Sequence, residues 1–241
     1  MQLDPRTVAR DIPGIVDELF PQLTTGTVAH INTQLKPISI KRILPDLLVR
    51  SKIQKAMLFE LAYTAGEQLL QGVASVDWNA CFADTLTRQR VYFDAKLPEF
   101  LEPHDKKIAE IVAENLVHSL QAMSKEFGEE IIVRPAIPGL EWVSSGNGDF
   151  ALGKTLVEVK CTAKRFSSAD YRQIAMYWLL SYAAAIEGRG EEWRNFVLLN
   201  PRNGEKVSMS FDHFLSIIGG FRTKIEVLLL FQSLIGSRIK Q

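Results

Sequence analysis

The spacing of apolar positions changes along the chain, and each change marks a new element. Leu47, Leu48, Ile53, Met57, Leu58, Leu61 and Ala62 recur at helical spacing, with Pro37 and Pro45 punctuating the approach. Residues 1 to about 95 therefore read as mostly helical. Lys96–His104 carries Pro98 and Pro103 with acids between them and reads as a linker. From Asp105 to Phe127, the residues Ile108, Val112, Leu116, Leu120 and Met123 form one apolar stripe, and Gly128 is placed to end that helix. The character then turns to strand. Ile131–Val133 is β-prone and leads into a Pro/Gly/Ser-rich loop, Pro135–Gly148. Strand-like runs at Asp149–Leu152 and Thr155–Thr162 flank Gly153-Lys154, and a long helix is predicted over about Ser168–Ile186. Phe196–Leu199 and Lys206–Met209 form a second predicted hairpin around Asn203-Gly204. Helical periodicity returns over residues 211–239, broken at Gly219-Gly220. The order describes an α/β fold, with residues 1–98 as a mainly helical extension and 104–241 as the domain proper.

Composition narrows the class without reaching the chemistry. The 241 residues are 46% hydrophobic, enough for a substantial core. The 28 Lys+Arg balance 28 Asp+Glu, which excludes a polybasic nucleic-acid coat or a membrane-surface protein. Two cysteines, Cys81 and Cys161, are too few for a disulfide framework or a structural zinc site, so a reducing compartment is expected. Met1–Asp11 carries acids and no apolar stretch, which predicts no secretory signal. The longest uncharged stretch, Gln173–Ile186, falls short of the roughly 18 residues a spanning helix needs. A cytoplasmic protein without membrane contact is the expectation. Any positive charge for nucleic acid must be local.

The first hairpin carries the candidate chemistry. With Gly153-Lys154 as a two-residue turn, suited to type II′, Leu152 pairs with Thr155, Ala151 with Leu156, Phe150 with Val157, and Asp149 with Glu158. Two carboxylates then face each other on one side of the strands, Cβ atoms about 4.5–5.5 Å apart, with Lys160 on the same side. Phe150, Leu152, Val157 and Val159 supply a core surface on the other side. Like charges directly opposite are destabilising unless a cation or proton lies between them. Hard oxygen ligands suit Mg²⁺ or Mn²⁺, and a lysine beside such a site can serve an attacking water. The constellation reads as phosphodiester hydrolysis.

Gly148-Asp149 followed by Glu158-Val159-Lys160 resembles the D…ExK signature of the PD-(D/E)XK nuclease superfamily. The run from Ser144-Ser145-Gly146 to Lys160-Cys161 is similar to archaeal-type Holliday-junction resolvases. Gln173 and Tyr177, an i,i+4 pair on the next helix, resemble the QxxxY motif of the RecB-type and lambda-exonuclease-like branches, and the Asn200–Gly204 hairpin after that helix looks like one that RecB-type domains carry. The resemblance covers about residues 105–210 and leaves the first hundred unexplained. Gly148 stands where the signature often has proline. A looser D…DxK pattern, Asp84 with Asp94-Ala95-Lys96, lacks both the glycine turn and the following helix.

The resemblance implies a restriction-endonuclease-like mixed β-sheet flanked by helices. It also implies a Mg²⁺- or Mn²⁺-dependent DNA nuclease of repair, restriction or phage defence, without organic cofactor. Asp149, Glu158 and the Val159 carbonyl would hold the metal, Lys160 would serve the water, and Gln173 and Tyr177 would support the site. Related nucleases draw a further carboxylate from the preceding helix, a place Glu114 or Glu110 fills by position. Helical-wheel geometry sets both nearly opposite the apolar stripe, which equally describes an exposed charge. Lys154, Lys164, Arg165 and Arg172 crowd the segment around the site, and Arg134 and Arg202 extend it as a surface for phosphate backbone. Ser144 and Ser145 are loop candidates for a phosphate contact. Zero net charge points to recruitment by a protein partner or homo-oligomer. The competing expectation is a catalytically silent nuclease-fold DNA-binding or adaptor subunit.

Overall fold

A computed structural model describes residues 2–12, 14–90 and 96–238 of the chain. Asp94 and Ala95 of the looser motif lie outside them. The architecture is mixed α/β: a helical N-terminal stretch and a central six-stranded sheet covered on both faces by helices.

The sheet runs in the order β1-β8-β7-β6-β5-β2. Its strands are β1 (Lys36–Pro37), β2 (Ile131–Val133), β5 (Phe150–Leu152), β6 (Thr155–Val159), β7 (Asn195–Asn200) and β8 (Glu205–Ser210). Among the described strands of this sheet β6 and β7 alone pair in parallel, and the chain between them forms α8 (Ser168–Ile186), the long connection that parallel neighbours need. The β5–β6 register is the expected one: Phe150 with Val157, Ala151 with Leu156, Leu152 with Thr155. Gly153 takes φ +53°, as the first central residue of a II′ turn requires. The second hairpin closes over Pro201–Gly204, with the Asn200 side chain accepting from the N–H groups of Arg202 and Asn203. Three short strands were not expected from sequence. β1 is only two residues long and joins the sheet at its edge, and the loop before Asp149 holds a small separate ribbon, β3 (Ala136–Ile137) with β4 (Gly146–Asn147).

Among the described residues seven α-helices precede the sheet's central strands. They are α1 (Pro5–Asp11), α2 (Ile15–Leu19), α3 (Thr25–Ile31), α4 (Pro45–Arg50), α5 (Lys55–Leu70), α6 (Trp78–Gln89) and α7 (Pro103–Phe127). α7 ends on Gly128 in the left-handed conformation, φ +69°. After β8 come α9 (Phe211–Ile218) and α10 (Lys224–Arg238), parted at Gly219-Gly220.

Alternation along β5, β6 and β7 divides the core in two. Phe150, Leu152, Val157, Val159, Val197 and Leu199 pack with Tyr63 of α5 and Leu116, Leu120 and Met123 of α7. Leu156, Phe196, Leu198, Val207 and Met209 face the other way, onto α8, together with α9 and α10. That second cluster includes Val8, Ile15, Leu19, Phe20 and Ile31, so α1–α3 share a core with α8. Residues expected as an extension thus contribute to both flanking layers. Among the described residues no helix is long and apolar enough to cross a membrane.

Candidate functional site

Glu158 lies on the α8 side of β6, two residues from Leu156, and the helix above it leaves the residue only 1% exposed. Asp149 directly precedes β5, and the next step of the hairpin register sets it opposite Glu158. Its backbone is held from the other layer: the Asp149 carbonyl accepts from the Tyr63 hydroxyl at 2.7 Å and from the Arg134 N–H at 3.0 Å. Its Oδ2 accepts from the Val159 N–H at 2.8 Å, which turns the carboxyl onto β6. A side chain at Gly148 would have to displace its neighbours. A Cβ there would lie 2.9 Å from Cδ1 of buried Leu156 and 3.3 Å from Pro135. The residue that departs from the signature is the one this packing admits.

Around Glu158 the sequence-predicted residues converge. Its Oε1 accepts from Lys160 Nζ at 2.9 Å and from Gln173 Nε2 at 2.6 Å. Lys160 Nζ also donates to Gln173 Oε1 at 2.9 Å, and because an ammonium can only donate, this contact fixes which way the Gln173 amide points. Gln173 Nε2 reaches the Tyr177 hydroxyl at 2.9 Å. Both helix residues are fully buried, one turn apart on the face of α8 toward β6. Glu158 Oε2, by contrast, is buried with no hydrogen-bond partner. A carboxylate oxygen in such a dry setting calls for a proton shared with the neighbouring Asp149 carboxyl or for a cation.

The two carboxyls titrate apart. Burial, and then the charge of Glu158, push Asp149 up to about 7, against the pull of Arg6, Lys160 and the Val159 N–H. Burial also opposes charge on Glu158, but Lys160 and Arg6 outweigh it and keep that group below the usual carboxylate range. Asp149 therefore holds a proton under conditions where Glu158 is ionised. Burial, then the Glu158 charge, raises Tyr177 and keeps it a neutral hydroxyl.

One residue in this network has no counterpart in the motif. Arg6, on α1, donates from Nε to the Tyr177 hydroxyl at 2.8 Å and from Nη2 to Asp149 Oδ1 at 3.3 Å, with Glu158 Oε1 at 4.0 Å. Partial burial works against its charge, yet Glu158, Tyr177 and Asp149 more than offset this and hold the guanidinium protonated. It stands 143 residues from Asp149 and 171 from Tyr177 in sequence, so no local pattern marks it. The only signal is indirect. Asp4-Pro5 is a helix start, and Val8 and Ala9 define a buried side that leaves Arg6 and Arg10 together on another.

The site opens into a cleft of about 820 Å³ between α1, α5 and the sheet. Lys164 and Arg165 line it as the sequence suggested, joined by Arg10 and Lys55. Other candidates lie elsewhere. Lys154, at the far turn of the hairpin, pairs with Glu191 at 3.0 Å, and Arg172 pairs with Asp17 on α2. Arg134 stacks over Tyr63 and bonds Glu67 at 2.5 Å, serving the scaffold behind Asp149. Glu114 is half exposed, pairs with Lys41 at 3.4 Å, and does not line the cleft, because the opposite side of α7 carries its apolar stripe. Two helical acids do line it, Asp170 in the first turn of α8 and Glu60 of α5, the second of which sequence reasoning missed. Ser144 bonds the Leu3 carbonyl at 3.1 Å, tying the loop to the N-terminus. Cys161 packs beside the α5–α7 core, and burial pushes its thiol up to about 12.

Among the described residues no three His, Cys, Asp or Glu side chains cluster as a metal site, so Asp149 and Glu158 stand as a pair. No family model matches the chain, and no curated protein or solved structure matches it significantly.

Proposed function

We propose that this chain is a divalent-metal-dependent nuclease of the PD-(D/E)XK type, with a restriction-endonuclease-like fold, that hydrolyses DNA phosphodiester bonds in repair, restriction or phage defence. One arrangement carries the reading: two neighbouring buried carboxyls, one with an unpaired oxygen, fastened to Lys160 and to a Gln-Tyr pair from a single helix. Placing two such acids together in a dry pocket costs several kcal/mol unless a proton or cation compensates. The donors are oxygen only, which suits Mg²⁺ or Mn²⁺, ions commonly held by one or two carboxylates with water and substrate phosphate. Asp149, Glu158 and the Val159 carbonyl would hold the ion. When bound, it supplies Lewis-acid polarisation and a water of lowered pKa.

The chain's own residues provide position and charge. Gln173 clamps Lys160 and Glu158 to each other, and Tyr177 clamps Gln173, so the ammonium is presented to the cleft in one orientation. From there Lys160 orients the attacking water and offsets charge gathering on the phosphate. Lys164 and Arg165 grip flanking phosphates without reading sequence. A formally neutral chain leaves delivery to DNA to a protein partner or a second copy.

The decisive experiment is a cleavage panel of linear, circular, single-stranded and branched DNA, with RNA, under Mg²⁺, Mn²⁺ or EDTA. Lys160→Ala and Asp149→Ala should each abolish EDTA-sensitive cutting while leaving circular dichroism unchanged. Cutting by both variants would overturn the assignment. A second reading, a silent DNA-binding or adaptor subunit, draws on Arg6, whose guanidinium already lies against the carboxyl pair. Mn²⁺-induced thermal stabilisation that vanishes in Asp149→Asn favours the nuclease; no stabilisation favours the silent subunit.

A further inference from the structure

Arg6 belongs to the first helix of the chain, yet its side chain ends among the carboxyls. We propose that Arg6 is a phosphate-binding residue of this site, parked on the Asp149–Glu158 pair in the metal-free protein and passed to a substrate phosphate when a divalent cation takes that pair. The inference rests on the nuclease reading and adds to it a catalytic group that no part of the D…ExK or QxxxY pattern contains.

Three observations carry it. The guanidinium has two kinds of contact. Its Nε is fastened to Tyr177, which Gln173 fixes in turn, whereas its Nη2 approaches the acids loosely, at 3.3 and 4.0 Å. The Nε contact is to a hydroxyl that belongs to neither acid, so it serves as a pivot. The Nη2 contacts are drawn by the negative charge of the acid pair, carried chiefly by Glu158, which a bound cation would neutralise. Second, the Arg6 side chain keeps 42% of its surface exposed and lines the cleft, so the fork released from the acids has solvent and substrate space before it. A guanidinium fork matches phosphate oxygens in geometry as well as charge. Third, Arg10 lies one turn further along α1, exposed, and lines the same cleft. Together the two arginines make a cationic ridge along α1, anchored by the burial of Val8 and Ala9 against α8.

Arg6 thus competes with a cation at the acids and cooperates with it at the phosphate, and the two roles respond with opposite signs to one substitution. Arg6→Gln should tighten Mn²⁺ binding to the DNA-free full chain about 3- to 10-fold, by calorimetry or thermal shift. It should lower kcat/KM for DNA cleavage about 10²-fold. Arg6→Lys, which keeps the charge but loses the fork, should fall between the two in both measurements. Arg10→Gln should leave Mn²⁺ binding unchanged and flatten the salt dependence of DNA binding by about one charge. A residue that only props up the fold would weaken metal binding and cleavage together. Weaker Mn²⁺ binding in Arg6→Gln, or wild-type cleavage by it, overturns the proposal while leaving the nuclease reading intact. A wild-type chain that neither binds Mn²⁺ nor cuts DNA overturns both.

Discussion

Asp149 and Glu158 are chemically near-identical groups set apart by their neighbours. Glu158 has Lys160 and Gln173 on one oxygen and stays ionised, while Asp149, buried beside that charge, is pushed up to about 7. The difference has a measurable consequence in the metal-free protein. Between about pH 4 and 7 the folded chain keeps a proton on Asp149 that the unfolded chain releases, so folding binds a proton there. Stability from this group is therefore fullest at low pH and declines as pH rises through that window. Asp149→Asn cannot titrate. In EDTA, urea unfolding at pH 5 and at pH 7.5 should show the variant gaining on the wild type as pH rises, by about 1–4 kcal/mol. Parallel profiles would mean that Asp149 is ionised throughout. At this scale the sequence was most legible where chemistry follows local geometry. A two-residue turn fixes which strand residues face each other, and an i,i+4 spacing puts Gln173 and Tyr177 on one helical face. Arg6 was illegible for the matching reason: nothing within a few residues of it records what its helix packs against.

The hairpin β5–β6 and helix α8 form the unit that assembles the site, and its tolerance is set by close packing rather than by motif. Gly148 introduces Asp149 where a Cβ would press on Leu156, a side chain buried in the α8 layer, and its own N–H bonds the Pro135 carbonyl at 2.9 Å. The proline frequent in related signatures would lose that bond as well as collide. Even Gly148→Ala should cost about 1–3 kcal/mol, the range for overpacking a filled core. It should also loosen the approach of Asp149 to Glu158, seen as a smaller Mn²⁺-induced rise in Tm than in the wild type. Unaltered stability and an unaltered Mn²⁺ response would show that the loop relaxes without disturbing the acids. The apolar pattern on this hairpin indicated one core face, Phe150 through Val159, and left the carboxylate face open. The structure covers that face too, because α8 lies over it, and burial is what turns an ordinary pair of acids into groups with displaced titration. β1 escaped notice because two residues of edge strand carry no periodicity.

Over the whole molecule, residues 1–98 and 104–241 meet across the sheet on both sides, although an irregular stretch joins them at 96–102. Val8, Ile15, Leu19, Phe20 and Ile31 are fully or almost fully buried within the α8 core, and Tyr63 of α5 covers Phe150 on the opposite face while bonding the Asp149 carbonyl. Burying a large apolar side chain is worth about 1.5–3 kcal/mol. Five of them from residues 8–31 alone amount to a sum comparable with the whole net stability of a domain, about 5–15 kcal/mol. The fragment 104–241 should therefore fail to fold alone, despite carrying the entire D…ExK and QxxxY pattern. Its urea transition should lose cooperativity, and limited proteolysis should cut within α8, which the full chain protects. Adding residues 1–98 as a separate polypeptide should restore both the cooperative transition and Mn²⁺ stabilisation. A fragment that unfolds cooperatively and responds to Mn²⁺ unaided would instead make the N-terminal helices an accessory, and Arg6 with them. Composition could not settle this point. Its balanced charge and ample hydrophobic content fit either arrangement, because both depend on which helix faces which strand.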